Sequence, residues 1–382
     1  MNVNNGNFSD NMPIERKEIQ EIARKYESIG CSLVHITSIG SHSELDIARG
    51  ALDEGFRALA ICKKGREKTY DKYYKFRKRG DDFVGCINET IILDDWKDIV
   101  SKEILGMLLV HNSIFIPHRS AEVYLGYNIL ENELKIPFFG NRMLLRAEER
   151  TGPYKVKKDQ DYLVKEANIP TPKKFSSPEK IDRPVIIKAT KALGERHFMR
   201  QFPIVKSREE YFEKLEEFES RGENEEEKEI LRKNFREAPI EEYVPGEKIN
   251  LNFFYSPIHN ELELLGCDTR IQFPNGEEMG HIPVSLRESL LEKAFAIGEK
   301  FVEITKKEYP PGVIGPFALQ TVGDPKENLL VYDVSLRIPG SPDTESTPYT
   351  GYLFGESISF GRKIAREIKY AINNKRLEEI VT

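Results

Sequence analysis

Cysteine is scarce in this chain. Of 382 residues only four are cysteine, Cys31, Cys62, Cys86 and Cys267, and no two of them share a CxxC spacing. That excludes a cysteine zinc site and a disulfide framework, and it suits a reducing cytoplasm. No apolar run reaches the length of a membrane span, and the N-terminus has no signal-peptide core. An excess of basic charge is missing too. The formal net charge of -6 argues against a nucleic-acid-binding surface as the main purpose. What remains, 39% hydrophobic and 31% charged residues, is the balance of a soluble globular protein, and the length calls for two or three domains. Residues 1–12, polar and rich in asparagine, are expected to be disordered.

Periodicity predicts an amphipathic helix over 13–30, with Ile19, Ile22, Ala23 and Tyr26 on one stripe and Gly30 as its stop. An apolar strand is expected over 32–39, a turn at Gly40-Ser41-His42-Ser43, and a helix over 44–54. Strand, small polar turn and helix open a βαβ unit, whose turn N–H groups and helix N-terminus can take an anion. An ordinary turn in which His42 caps the helix fits the same residues. Strands are expected at 57–62, 89–93, 107–110 and 113–116, a helix over 94–105 around the single tryptophan, Trp96, and a second strand-to-helix turn at Pro117-His118-Arg119-Ser120. The basic, tyrosine-bearing run 66–80 is expected to be a solvated connection.

Residues 141–170 are expected to be mostly helical until Pro170-Thr171-Pro172 interrupts them. Arg183–Lys188 is an apolar strand that ends in lysine, and a buried lysine is costly unless it meets an anion such as a nucleotide phosphate. Residues 206–237 are a charge-dense helix. The segment 240–247, IEEYVPGE, is a short edge and turn whose main chain can meet an adenine edge and whose acids can meet a ribose; a plain acidic loop fits it equally. A strand at 249–255, a helix over 284–307 and a closing helix over 355–382 on the polar surface complete the pattern.

Residues 312–340 organise the second half. Two apolar runs, Phe317–Leu319 and Leu329–Tyr332, flank a polar turn and predict a β-hairpin. Gln320 lies on its first strand and Asp333 on its second. Ser335 and Arg337 follow Asp333 at period two, so the three side chains share a face. Amide and carboxylate oxygens suit a hard cation such as Mg²⁺, and a guanidinium suits a phosphate or carboxylate. A buried hairpin with a polar edge also fits.

Taken together, the chain resembles the archaeal formate–phosphoribosylaminoimidazolecarboxamide ligases, the FAICAR synthetases of the ATP-grasp class. The resemblance is carried by GSHSELDIARGALDEGF, FFGNRMLLR, IEEYVPG, FFYSP, ELELLGCDTR, HIPVSLRESLL, PPGVIGPFALQ, DVSLR and FGRKIAREIK, in the same order along nearly the whole chain after its tail. It implies an α/β protein: a Rossmann-like domain at 13–140, then an ATP-grasp fold of α+β subdomains at 141–382. Within the latter, 141–245 includes the nucleotide-clamping part and 246–382 bears the metal. It further implies ATP- and formate-dependent formylation of 5-aminoimidazole-4-carboxamide ribonucleotide (AICAR) to FAICAR through formyl phosphate, in purine biosynthesis. Mg²⁺ or Mn²⁺, a cytoplasmic location and a trimeric or hexameric assembly go with it; nucleic acid and membrane do not.

By the same resemblance, Lys188 and Arg196 meet the ATP phosphates. Glu241, Glu242, Tyr243 and Val244 form the adenine hinge, and Glu247 faces the ribose. Gln320 and Asp333 are the metal ligands, where the family commonly has Gln and Glu. Ser41, His42, His118, Ser120 and Asn252 belong to the AICAR site, with Arg119 in place of a family glycine. His42, Arg270 and Arg337 are the catalytic side chains, the arginines suited to phosphate or formyl phosphate.

Several stretches depart from the family pattern. The glycine-rich phosphate loop is replaced by Lys191-Ala192-Leu193-Gly194-Glu195-Arg196-His197-Phe198. Tyr162 falls where a helical lysine usually helps hold ATP, leaving Lys157 or Lys158 as substitutes. Arg337-Ile338-Pro339-Gly340-Ser341-Pro342 stands where the family has Asp-Gly-Gly-Thr-Asn, and the loop between Arg270 and His281 is short. These changes keep two other readings open, a ligase for another carboxylate and amine and a non-catalytic nucleotide-binding relative.

Overall fold

The computed structural model describes residues 14–150, 154–193, 197–272, 278–340 and 343–382. The expected disordered tail, Glu195 and Arg196 lie outside the described residues. Helix α1 (Arg16–Ile29) buries its stripe of Ile19, Ala23 and Tyr26. Residues 31–33 make one tight turn, so strand β1 (His35–Ile39) begins later than the apolar run suggests. Helix α2 (Glu44–Asp53) and strand β2 (Arg57–Lys63) follow. The basic run ends in an exposed hairpin of β3 (Arg77–Arg79) and β4 (Asp82–Val84), and β5 (Glu89–Leu93) returns to the sheet.

Helix α3 (Lys102–Val110) includes residues 107–110, where the apolar run predicts a strand. The Ser101 side chain accepts from the Ile104 N–H and starts a helix that the unbroken apolar run then carries on. Strand β6 (Ser113–Phe115) and helix α4 (Arg119–Tyr124) complete the unit. Its sheet is parallel in the order β5-β2-β1-β6. All five β1 residues are buried, as parallel strands covered on both faces require. The strand order reverses between β1 and β6, so a crevice opens at their carboxyl ends, between the turns 40–43 and 117–120.

The helix expected over 141–170 is reduced to a turn at Leu145–Glu148 and a helix at Gln160–Glu166. Tertiary bonds take over its start. Asn141 Nδ2 donates to the carbonyls of Tyr309 and Gly312, and the buried Arg142 donates to those of Leu130, Leu134 and Ile136. A small sheet follows, in the order β11-β8-β12-β7, built from β7 (Lys174–Phe175), β8 (Val185–Ile187), β11 (Ile204–Val205) and β12 (Ile240–Glu242). Strands β9 (Ala189–Leu193) and β10 (His197–Gln201) pair as a separate hairpin. The charge-dense segment is two helices, Arg208–Glu219 and Glu225–Glu237, because Asn224 caps the second by accepting from the Glu227 N–H. Their Tyr211, Phe218 and Phe235 close a core over Val185 and Ile187.

The largest sheet is antiparallel, in the order β15-β14-β13-β16-β17. It comprises β13 (Lys248–Ser256), β14 (Glu261–Gln272), β15 (Glu278–Val284), β16 (Gly315–Gly323) and β17 (Leu329–Ser335). The helix Glu288–Glu308 packs on it, and Phe253, Phe301 and Phe317 stack between them. The last helix, Phe360–Asn373, is not a polar surface element. It buries Ile364, Ala365, Ile368 and Ala371 in the first unit's core. It crosses α2 where Gly50 meets Gly361, so closely that a methyl on either would overlap the other helix's backbone.

Candidate active site

A cavity of about 480 Å³, within the usual range for small-molecule sites, lies where the crevice of the first sheet meets the small and large sheets. The lysine-ended strand brings Lys188 to it. Lys188 Nζ lies 2.5 Å from the buried Glu241 carboxylate on β12 and donates to the Tyr332 carbonyl at 3.0 Å. Burial and the nearby Arg150 pull the Lys188 ammonium below its ordinary range, with Glu241 and Asp333 opposing. Next in the chain, Glu242, Tyr243 and Val244 line the wall.

The β16–β17 ladder pairs Gln320 with Asp333. Both line the cavity, and Gln320 Oε1 is buried with no hydrogen-bond partner. Burial raises the Asp333 carboxyl, but Arg150, Lys188 and Arg270 outweigh it and hold the group below the usual carboxylate range. An ionised carboxylate beside an orphaned amide oxygen fits a hard divalent cation that completes its shell with substrate oxygens. Ser335 and Arg337 join Asp333 on the lining, as their period-two spacing requires.

Arg150 carries no local signal in the sequence, yet it ties the acidic wall together. Its guanidinium lies 3.1 Å from Asp333, 3.4 Å from Asp161 and 3.6 Å from Glu241, and it donates to Gln160 Oε1 at 2.8 Å. Tyr162, by contrast, packs against the core of the large sheet, and Lys158 pairs with Glu308 at 2.6 Å. Neither they nor Lys157 line the cavity, whereas Arg150 does.

The far wall is a buried charge network. Arg337 Nη2 lies 3.3 Å from Glu148, and Arg119 Nη1 donates to Glu122 at 2.7 Å and Glu149 at 3.1 Å. Burial and neighbouring Glu122 push the Glu148 carboxyl up, against the pull of Arg337. A third cluster centres on Asp268, which is 1% exposed in mid-strand β14. It accepts from Asn250 at 2.7 Å, Asn252 at 2.6 Å and His281 Nδ1 at 2.5 Å. A methyl placed on Gly340 would meet His42 Nε2 at 3.4 Å and His281 Nε2 at 3.7 Å, so both imidazoles close on one spot.

Of the residues singled out from sequence, His42, Lys188, Glu241, Glu242, Tyr243, Val244, Arg270, Gln320, Asp333 and Arg337 are brought together on the lining. Ser41, His118 and Ser120 stand behind His42. The His42 and His118 rings stack at 5.1 Å, and Ser120 Oγ donates to Ser41 Oγ at 3.0 Å. His118 Nδ1 accepts from the Ser120 N–H while Nε2 donates to the Ile39 carbonyl, and burial pulls its pKa down to about 4. Asn252 is fully buried and acts on Asp268, and Glu247 sits in an exposed loop away from the lining. Asp268 had a legible signal: a carboxylate inside an apolar strand demands partners. Arg150 and Glu148 had none, because their partners are far off in sequence.

Two family models match the chain: "Protein of unknown function (DUF1246)" over residues 36–175, and "Domain of unknown function (DUF1297)" over 217–277 and 272–382. The chain is 36% identical over 391 residues to the 5-formaminoimidazole-4-carboxamide-1-(beta)-D-ribofuranosyl 5'-monophosphate synthetase of Methanocaldococcus jannaschii, covering 97% of this chain and 100% of the relative. Among solved structures it is similar to an IMP biosynthesis protein PurP from Thermococcus kodakaraensis, with a TM-score of 0.66, 26% identity, and 91% and 100% of the two chains covered. The biotin carboxylase domain of Hydrogenobacter thermophilus 2-oxoglutarate carboxylase, solved with MgADP and bicarbonate, matches at a TM-score of 0.57 with 16% identity, over 86% of this chain and 69% of that one. The fold is the ATP-grasp fold with a Rossmann-like unit before it. No described helix is long and apolar enough to cross a membrane.

Proposed function

The chain belongs to the family of 5-formaminoimidazole-4-carboxamide ribonucleotide synthetases, and from that premise we propose that it is an ATP-grasp carbon–nitrogen ligase that formylates AICAR with formate. The observation that carries the reading is the convergence of Lys188, Gln320 and Asp333 with His42 on one cavity. Phosphate-binding, metal-binding and amine-binding groups then share one space.

In this reading Lys188 and Arg150 hold the phosphates of ATP, and the Glu242–Val244 main chain meets the adenine edge. Gln320 and Asp333 would hold Mg²⁺ or Mn²⁺, which when bound neutralises phosphate charge. Formate attacks the γ-phosphorus in line, and ADP leaves with the bridging electron pair. Arg337 and Arg270 steady the resulting formyl phosphate. The aromatic amine of AICAR, placed by His42, attacks the formyl carbon. The formamide forms as the C–O bond to phosphate breaks and inorganic phosphate departs. The amine must shed a proton in that step, and His281, backed by Asp268, takes it. The protein's task is positioning and charge stabilisation. The reaction belongs to the cytoplasm, in a homo-oligomer that the family resemblance makes a trimer or hexamer.

Purified protein with ATP, Mg²⁺, formate and AICAR, each omitted in turn, tests the reading. ADP release that requires both formate and AICAR, lost in Lys188→Ala and Asp333→Asn, is the expected result. ADP release driven only by a different acid and amine would assign the altered 337–342 stretch to another substrate pair. ATP binding without any turnover would assign the chain to a non-catalytic role.

A further inference from the structure

The opposite edge of the first sheet carries a second constellation. His35 begins β1, Glu89 begins β5, and His111 ends α3, so three distant segments meet at the amino ends of the strands. The catalytic cavity lies at the carboxyl ends, about 16 Å away along the five residues of β1. Among the described residues, these three are the group of histidine and carboxylate side chains whose donor atoms all lie within 4.8 Å of one another.

Their chemistry is directional. His35 Nδ1 lies 2.7 Å from the His111 carbonyl oxygen. A carbonyl only accepts, so Nδ1 carries the ring hydrogen and Nε2 presents a lone pair. His35 is 4% exposed, and Nε2 is buried with no hydrogen-bond partner. It points at Glu89 Oε1, 3.5 Å away, and His111 Nε2 lies 3.3 Å from Glu89 Oε2. A lone pair facing a carboxylate is repulsive unless a proton or a metal ion stands between them. The backbone carbonyl that orients His35 is the outer-sphere partner a metal-bound imidazole normally has. Tetrahedral Zn²⁺ with bonds near 2.0–2.2 Å sets its ligand atoms about 3.3 Å apart. The two histidine-to-carboxylate distances, each to a different oxygen of Glu89, are near that value, so the carboxylate stands between the two imidazoles.

We propose that His35, Glu89 and His111 form a binding site for Zn²⁺ or a similar borderline divalent ion, with solvent in the fourth position. The ion joins β1, β5 and the end of α3, and acts as a clamp on the sheet edge rather than in catalysis. His111 and Glu89 are half-buried, which leaves the ion a path from solvent. Arg57, 3.7 Å from Glu89 Oε1 and largely exposed, yields its place to the ion and turns outward.

The test is a Co²⁺ titration of chelator-stripped full-length protein in saturating Mg²⁺, which fills the Gln320–Asp333 position. One equivalent should bind with the intense visible absorption of a four- or five-coordinate site and be displaced by Zn²⁺. Zn²⁺ should also raise the melting temperature. His111→Ala should weaken binding at least about 100-fold and Glu89→Gln at least about tenfold, since outer-sphere losses alone cost that much. Ligase turnover should be unchanged in His111→Ala. Absence of a stoichiometric ion in the unsubstituted chain, or unchanged affinity in both variants, would overturn the site.

Discussion

Replacing Arg150 by methionine takes away the cation on which the acidic wall of the cavity depends. Its distances to Asp333, Asp161 and Glu241 are 3.1, 3.4 and 3.6 Å. At an effective dielectric near 20, each such pair has a gross attraction of about 5 kcal/mol, most of which desolvation of the guanidinium offsets. Two of the carboxylates keep another partner. Lys188 stays 2.5 Å from Glu241, and Lys174 stays 2.6 Å from Asp161. Asp333 loses the nearest of its cations. The net cost therefore falls at the low end for breaking a buried pair, about 3 kcal/mol at pH 7.5.

The pH dependence makes that figure specific. In the native chain Asp333 is held below its ordinary range, so it contributes stability above the unfolded pKa of about 4, lost only as pH falls through the lower folded value. In Arg150→Met burial raises the carboxyl, and the group escapes by taking up a proton in mild acid. The deficit should then be full at pH 7.5 and smaller at pH 4.5, by about 1.4 kcal/mol for each unit that the Asp333 pKa lies above 4.5. Urea unfolding followed by circular dichroism measures it. Fluorescence would not, because Trp96 stacks on Tyr124 in the core of the first sheet. Arg150→Met with Asp333→Asn should recover about half of the loss. A deficit under about 1 kcal/mol, or one equal at both pH values, would refute the reasoning.

Other outcomes follow from single contacts. Gly361→Ala should cost about 3 kcal/mol or more in thermal unfolding, since its methyl meets the Asp46 carbonyl across the helix crossing, whereas Gly106→Ala, with open space around it in α3, should stabilise by up to about 1 kcal/mol. Asp268→Asn should lower ligase turnover about 100-fold with little change in the KM for ATP, read from steady-state rates, because His281 loses the carboxylate that orients its ring. Glu148 is pushed up to about 8, above its unfolded range, so its contribution is present in acid and lost as pH rises from about 4.3 to about 8. Glu148→Gln should flatten the fall in melting temperature over that window.

Much of the site is legible in the chain itself, and for a definite reason. The turn 40–43, the lysine at the end of Val185–Ile187 and the Gln320–Asp333 hairpin are local features, where period and neighbouring residues decide which side chains share a face. Where side-chain bonds to distant carbonyls replace local order, periodicity misleads. Asn141 and Arg142 cut short an expected helix by this means. Residues 107–110 go the other way, because a short apolar run has no period to separate helix from strand. Glu247, read as a ribose acid from its segment and from the family likeness, and Asn252, placed by family likeness alone, are set by the fold outside the lining and beneath Asp268 respectively.

The sequence alone determined the βαβ opening, the lysine-ended strand, the Gln320–Asp333 hairpin, the family and the residue types available for phosphate and metal. Tertiary structure alone decided which charges face each other. Arg150 meets Asp333 across 183 positions of chain, Arg337 meets Glu148 across 189, and His35, Glu89 and His111 meet at one sheet edge. Periodicity tells which way a side chain points, but its partner is set by packing between elements whose separation along the chain carries no local signal.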